Sequence, residues 1–227
     1  MFGWPNDATL LFLAAAFCAA SYLAICARPG ASWLKSVVKT LSVAFLAAVA
    51  FKLSDMLLLA VGLTACAVGD FFLSRSAAKE DSTEELFSGI GAFAFGHLSF
   101  AALFFLQPSA DFARISDGWP LVAALVLLGL IMLYLLFKTA GAVRWAALFY
   151  VPVIVLMGVM AMVLPPVGGL ALVLPAALLL ILSDFALAQE MFVLPRGHKL
   201  RRGLPYVVWA TYWSALALLL IGFTGAV

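Results

Sequence analysis

The chain has 227 residues, 66% of them hydrophobic, with only 13 basic and 11 acidic residues and a mean hydropathy of +1.16. Soluble domains carry about 25% charged and about 45–50% apolar residues, so this composition excludes an ordinary soluble fold, and it excludes disorder as well. A net charge of +2 is too small to make a nucleic-acid surface.

A bilayer span takes about 20 mostly apolar residues, so eight spans use about 160 and leave only short connections. Met1 to Thr9 lacks the cationic start of a cleaved signal peptide, and residues 8–26 are therefore read as a first, retained span. Further apolar runs predict spans near 36–53, 54–73, 86–106, 119–137, 143–163, 168–188 and 204–224. The patch Lys52-Leu53-Ser54-Asp55 alone separates the second from the third. The runs are long and continuous, unlike the roughly ten-residue alternation of an outer-membrane barrel. No Pro-rich or Ser-rich linker divides them. Residues 1–227 thus read as a single transmembrane domain, an all-α polytopic membrane helix bundle.

Orientation follows from the cations. With the N-terminus outside, the inner connections hold Arg28, Lys35, Lys39, Arg75, Lys79, Lys138, Arg144, Arg196, Lys199, Arg201 and Arg202, and the outer ones only Lys52 and Arg114. By the positive-inside rule both termini face away from the cytoplasm, which requires an even number of spans. A weak echo joins the third and seventh spans. Gly69-Asp70-Phe71-Phe72-Leu73 resembles Ser183-Asp184-Phe185-Ala186-Leu187, as in a parallel four-helix repeat.

An ionisable side chain within the membrane costs roughly 2.5–3.5 kcal/mol on insertion scales, so each one needs a reason. Asp70 and Asp184 lie in apolar runs near the cytoplasmic ends of their spans, His97 lies near the middle of the fourth, and Lys39 falls in the first turn of the second. Gly62, Cys66 and Asp70 share one helical face, as do Ala177, Asp184 and Ala188, and small residues let helices approach closely. Both carboxylates are therefore expected to point inward. Two such groups, one protonated and one ionised, are equipment for general acid–base chemistry.

His97 shares a face with Gly89 and Phe93, and Tyr150, Ser183 and Tyr212 add hydrogen-bonding groups to later spans. Trp33, Trp119, Trp145 and Trp209 fall at span ends and suggest an interfacial aromatic belt. The run Arg196 to Arg202 reads as a cytoplasmic anchor against anionic headgroups. Cys18, Cys26 and Cys66 sit in apolar runs without C-x-x-C spacing, so no disulfide is expected. G-x-S-x-G, H-E-x-x-H, Walker and dinucleotide-binding motifs are absent from the sequence, and with two His in the chain neither a metal nor a cofactor is expected.

Taken together, Gly69-Asp70-x-x-Leu73, Phe87-x-Gly89-x-Gly91-Ala92-Phe93-x-x-x-His97, Tyr150 with Met157 and Ala161, and Ser183-Asp184-x-x-Leu187-Ala188 resemble the YhhN-type membrane proteins, the lysoplasmalogenase family. The likeness runs from about Lys39 to Tyr212. It implies a hydrolase that cleaves the vinyl ether bond of lysoplasmalogens to a fatty aldehyde and a glycerophospho-base. It also implies catalysis by Asp70 and Asp184, with Lys39, His97, Tyr150, Ser183 and Tyr212 about the substrate. The partners expected are a lysophospholipid and membrane lipid, and the setting a bacterial inner membrane with the aspartates toward the cytoplasm. Paired intramembrane carboxylates also suit a proton- or cation-coupled transporter, and the composition suits a non-catalytic lipid-binding protein; these are the rival readings.

Overall fold

The computed structural model describes residues 3–25, 32–53, 55–78, 83–195 and 197–225; Cys26, Arg28, Ser54, Lys79 and Arg196, which entered the readings above, lie outside them. The helices are α1 (Asn6–Ile25), α2 (Trp33–Leu53), α3 (Leu57–Ala78), α4 (Thr83–Phe105), a short α5 (Ala113–Asp117), α6 (Trp119–Thr139), α7 (Arg144–Ala161), α8 (Val173–Ala188) and α9 (Leu204–Phe223). Among the described residues there is no strand, and eight helices, all but α5, are long and apolar enough to cross a membrane.

The expected spans match these helices closely, and the departures have local causes. Helix α3 continues past residue 73 because Arg75 Nε meets Glu85 Oε1 of α4 at 3.2 Å, tying the two helix ends together. The seventh run is three pieces: a 3₁₀ turn (Gly168–Leu172), α8, and a π turn (Gln189–Val193) in which the Leu194 amide donates to Gln189 O at 2.9 Å. Pro175 consequently lies in the first turn of α8, where its missing N–H leaves no gap in the ladder. Pro152, by contrast, lies inside α7. The short α5 falls in the connection between the fourth and fifth expected spans. It is held to the end of α7 by Asp111 N donating to Val163 O at 2.8 Å and Arg114 Nε donating to Met162 O at 3.0 Å.

Helix α3 packs between α2 and α4, α1 lies on α2, α4 on α7, and α8 on α9, while α6 is a peripheral helix resting mainly on α7. Phe100, Phe104, Leu63, Met157, Leu180 and Leu216 fill the centre. Phe17 and Phe149, 74% and 78% exposed, show how apolar the outer surface is; only lipid makes such a surface economical.

The seam of α3 against α4 is made by four glycines. A Cβ on Gly62 would lie 2.4 Å from the Phe100 ring and one on Gly69 2.8 Å from the Phe93 ring. One on Gly96 would meet Gly62 O and Cys66 Sγ at 3.1 Å, and one on Gly89 would meet Leu73 N at 3.3 Å. The pairs Gly62/Gly96 and Gly69/Gly89 stand opposite each other on antiparallel helices, seven residues apart on each. Asp70 follows one of these glycines and His97 another, so the seam that brings the backbones together also sets both ionisable groups in the core. Serines and threonines nearby donate to the carbonyl one turn earlier, as Thr64 does to Ala60 and Ser99 to Phe95, and leave no hydroxyl cost in the apolar interior.

A candidate active site on two aspartates

Asp70 on α3 is 1% exposed and both its oxygens meet donors: Lys39 Nζ of α2 lies 2.9 Å from Oδ1, and Tyr212 OH of α9 donates to Oδ2 at 2.9 Å. Lys39, in the second turn of α2 rather than its first, is itself largely buried. Its ammonium lies 5.9 Å from the centroid of the Tyr22 ring and 6.0 Å from that of Trp209. Those rings are 4.5 Å apart, and Trp209 Nε1 donates to Ala19 O at 2.9 Å. A cation enclosed by a carboxylate and two aromatic faces keeps its charge far from water.

Asp184 on α8 is built differently. Tyr150 OH of α7 donates to its Oδ2 at 3.1 Å, and His97 Nε2 of α4 faces the same oxygen at 3.5 Å. The other ring nitrogen, His97 Nδ1, lies 2.7 Å from Phe93 O. A carbonyl only accepts, so Nδ1 carries the hydrogen and Nε2 is the nitrogen through which His97 can exchange a proton with Asp184. Asp184 Oδ1 has no hydrogen-bond partner among the described residues. The His97 and Tyr150 rings meet edge to face at 5.8 Å, and Cys66 and Tyr212 lie within electrostatic reach of both carboxylates.

Two adjoining spaces lead to these groups. A narrow apolar slot is lined by Asp184 and Tyr150 together with Phe93, Met132, Leu136 and Ala147. A vestibule of about 710 Å³ lies at the end of the bundle where α8 ends and α9 begins, and Lys39, Trp209, Glu190 and Arg201 line it. Leu73, Leu86, Leu187, Met191 and Phe192 border both spaces. Asp184 opens onto the slot, whereas Asp70 lies behind Lys39 and Tyr212 and borders neither space.

Of the residues expected around the substrate, Lys39, His97, Tyr150 and Tyr212 all contact one of the two carboxylates. Ser183 does not: its hydroxyl donates to Val208 O at 3.0 Å and ties α8 to α9. Trp33, Trp119 and Trp145 are exposed at helix starts, as a belt requires, but Trp209 is 3% exposed and forms part of the Lys39 cage. Its hydrogen bond to Ala19, where α1 touches α9, removes it from the interface. Tyr22, Glu190 and Arg201 are further site residues. Only Arg201 had a sequence signal, its basic run, and that pointed to an anchor. Cys18 and Cys66 are free thiols, and no group of three or more His, Cys, Asp or Glu among the described residues is placed to hold a metal ion.

No curated protein and no solved structure matches the chain. The family model described as YhhN matches residues 34–223, which takes in α2 from its second residue, every helix from α3 to α9 and both aspartates. The chain belongs to the YhhN family.

Proposed function

We propose that the chain is a membrane-embedded hydrolase that cleaves the vinyl ether bond of lysoplasmalogens, releasing a fatty aldehyde and a glycerophospho-base. The observation that carries this reading is an apolar slot lined by Asp184 and Tyr150, with His97 Nε2 3.5 Å from Asp184, beside a polar vestibule. Together they have the polarity pattern of a single-chain amphiphile. The hydrocarbon chain occupies the slot and the headgroup the vestibule, where Lys39 acts on the phosphate as a point charge. The basic end of the bundle faces the cytoplasm of a bacterial inner membrane.

Asp184 Oδ1 holds the reacting proton and delivers it to the vinyl carbon, leaving an oxocarbenium ion beside the new carboxylate. Water adds to that cation and gives a proton back to the Asp184–His97 pair, and the hemiacetal collapses to aldehyde and alcohol. The cycle closes with one water consumed and Asp184 protonated again. General acid–base catalysis of this kind contributes about 10²–10⁴-fold. Tyr150 fixes the Asp184 carboxyl by its hydrogen bond. Asp70 stays ionised between Lys39 and Tyr212 and acts through them, as a positioning residue for the ammonium at the vestibule wall.

The test is incubation of the purified protein with a lysoplasmalogen and with its saturated ether analogue, with aldehyde measured by mass spectrometry. Aldehyde from the first alone is expected. An unchanged lipid pool would remove the hydrolase reading and leave transport or lipid binding.

A further inference from the structure

Glu190 has no part in the acid chemistry above, yet it stands in the vestibule with two cations. Helix α8 ends at Ala188, and the π turn that follows sets Glu190 on the cavity wall. Single π turns at the end or in the middle of an α-helix occur frequently at functional sites. Among the described residues Glu190 makes no hydrogen bond, and Arg201 and Lys39 lie within its electrostatic reach without pairing with it. Arg201 spends one donor, Nη1, on Leu194 O at 2.9 Å, which fixes the guanidinium at the end of the π turn. Its remaining donors meet no acceptor among the described residues.

A cavity built for a plain anion gains nothing from a carboxylate beside its arginine, because like charge repels the ligand. Unspent groups of both signs, held apart by the backbone, fit a ligand that carries both signs itself. Guanidinium takes phosphate by parallel hydrogen bonds, and a carboxylate takes an ammonium group. Tyr22 and Trp209 line the same vestibule, and their faces already attract the Lys39 ammonium and suit a second, alkylated one.

We propose that Glu190 and Arg201 form the specificity pair of the vestibule, taking a zwitterionic phospho-amine headgroup with its phosphate on Arg201 and its ammonium on Glu190, and disfavouring phosphoglycerol headgroups. This rests on the lipid reading of the same site, but not on cleavage.

The experiment is native mass spectrometry of the full chain in detergent with two saturated 1-alkyl lysolipids of one chain length, one with a phosphoethanolamine and one with a phosphoglycerol headgroup. Neither has a vinyl ether, so binding is read without turnover. The wild-type protein should prefer phosphoethanolamine by about tenfold or more. Glu190→Gln should abolish the preference, Glu190→Lys should reverse it, and Arg201→Gln should weaken both lipids alike. Lys199→Gln, on the same 3₁₀ turn, should change neither. Glu190 makes no hydrogen bond among the described residues, so its variants should melt with the wild type. They decide the matter even where Arg201→Gln loses the Leu194 anchor and fails to fold. Equal wild-type binding of the two headgroups, or a preference that survives Glu190→Gln, overturns the proposal. Headgroup selection by a protein that cleaves no lysoplasmalogen would instead overturn the hydrolase reading and leave this one standing.

Discussion

Lys39 Nζ lies 2.9 Å from Asp70 Oδ1, while among the described residues the ionisable nitrogen beside Asp184 is His97 Nε2, 3.5 Å from Oδ2. One aspartate has a permanent counter-ion and the other a partner that is cationic only when protonated. That difference separates a fixed ion pair from a proton store, and it makes the consequences of neutralising the two carboxylates unequal.

Asp184→Asn removes the proton donor and no permanent ion pair. Turnover of a lysoplasmalogen should fall by about 10²–10⁴-fold through kcat, and the melting temperature should stay level or rise, because a buried carboxylate is costly. Tyr150→Phe should give a smaller loss of kcat, since it removes one hydrogen bond to Oδ2 and leaves the acid in place. Steady-state kinetics and thermal unfolding on the same preparations check both. Asp184→Asn with unimpaired kcat per folded molecule would make the aspartate a helix post.

The glycine seam predicts opposite effects for two substitutions five residues apart on α4. Gly91 has nothing within 4 Å of a built Cβ, so Gly91→Ala should stabilise the helix by up to about 1 kcal/mol. At Gly96 a Cβ already meets Gly62 O and Cys66 Sγ at 3.1 Å. Gly96→Val adds two more carbons there and should cost about 1–3 kcal/mol by overpacking, displacing His97 from Asp184. Thermal unfolding in detergent measures the difference; equal shifts would mean that the helices do not depend on this close approach.

The eight transmembrane helices were legible because apolar runs of this length have one solution in lipid. Asp70 and Asp184 were legible for the complementary reason, that ionisable groups in such runs stand out. What joins them was not. Lys39 is 31 residues from Asp70 and Tyr212 is 142, and no local pattern marks such pairings, which only the packing of α2, α3 and α9 creates. Trp209 sits at a span end and reads as a belt residue until α1 covers it. Glu190 reads as an ordinary residue leaving a span, because no sequence signal announces the π turn that puts it in the vestibule.

Both chain ends should lie on the side opposite the basic loops. In a background without the three native cysteines, a membrane-impermeant maleimide should label Gly3→Cys in intact cells and Lys199→Cys only after permeabilisation. Labelling of both from one side would overturn the orientation and, with it, the cytoplasmic vestibule.

The Lys39–Asp70 pair gives the sharpest test of the positioning role. Asp70→Asn leaves an ammonium buried between Tyr22 and Trp209 without its counter-ion, and Lys39→Met leaves a carboxylate supported by Tyr212 alone. Removing one partner of a buried pair costs about 3–5 kcal/mol, whereas replacing both with neutral groups of similar size is often nearly neutral. Each single variant should therefore unfold at a lower temperature than the wild type, and Lys39→Met/Asp70→Asn should recover most of the loss, a coupling measured by the double-mutant cycle. Substrate affinity should not recover with it. The double variant keeps the slot, Asp184 and His97, so its kcat on bound substrate should stay near the wild-type value, while the lost ammonium at the vestibule wall raises KM. A double variant no more stable than either single would show that the two residues do not act as a pair. A stable double variant whose kcat falls as far as that of Asp184→Asn would show instead that Asp70 takes part in the chemical step directly.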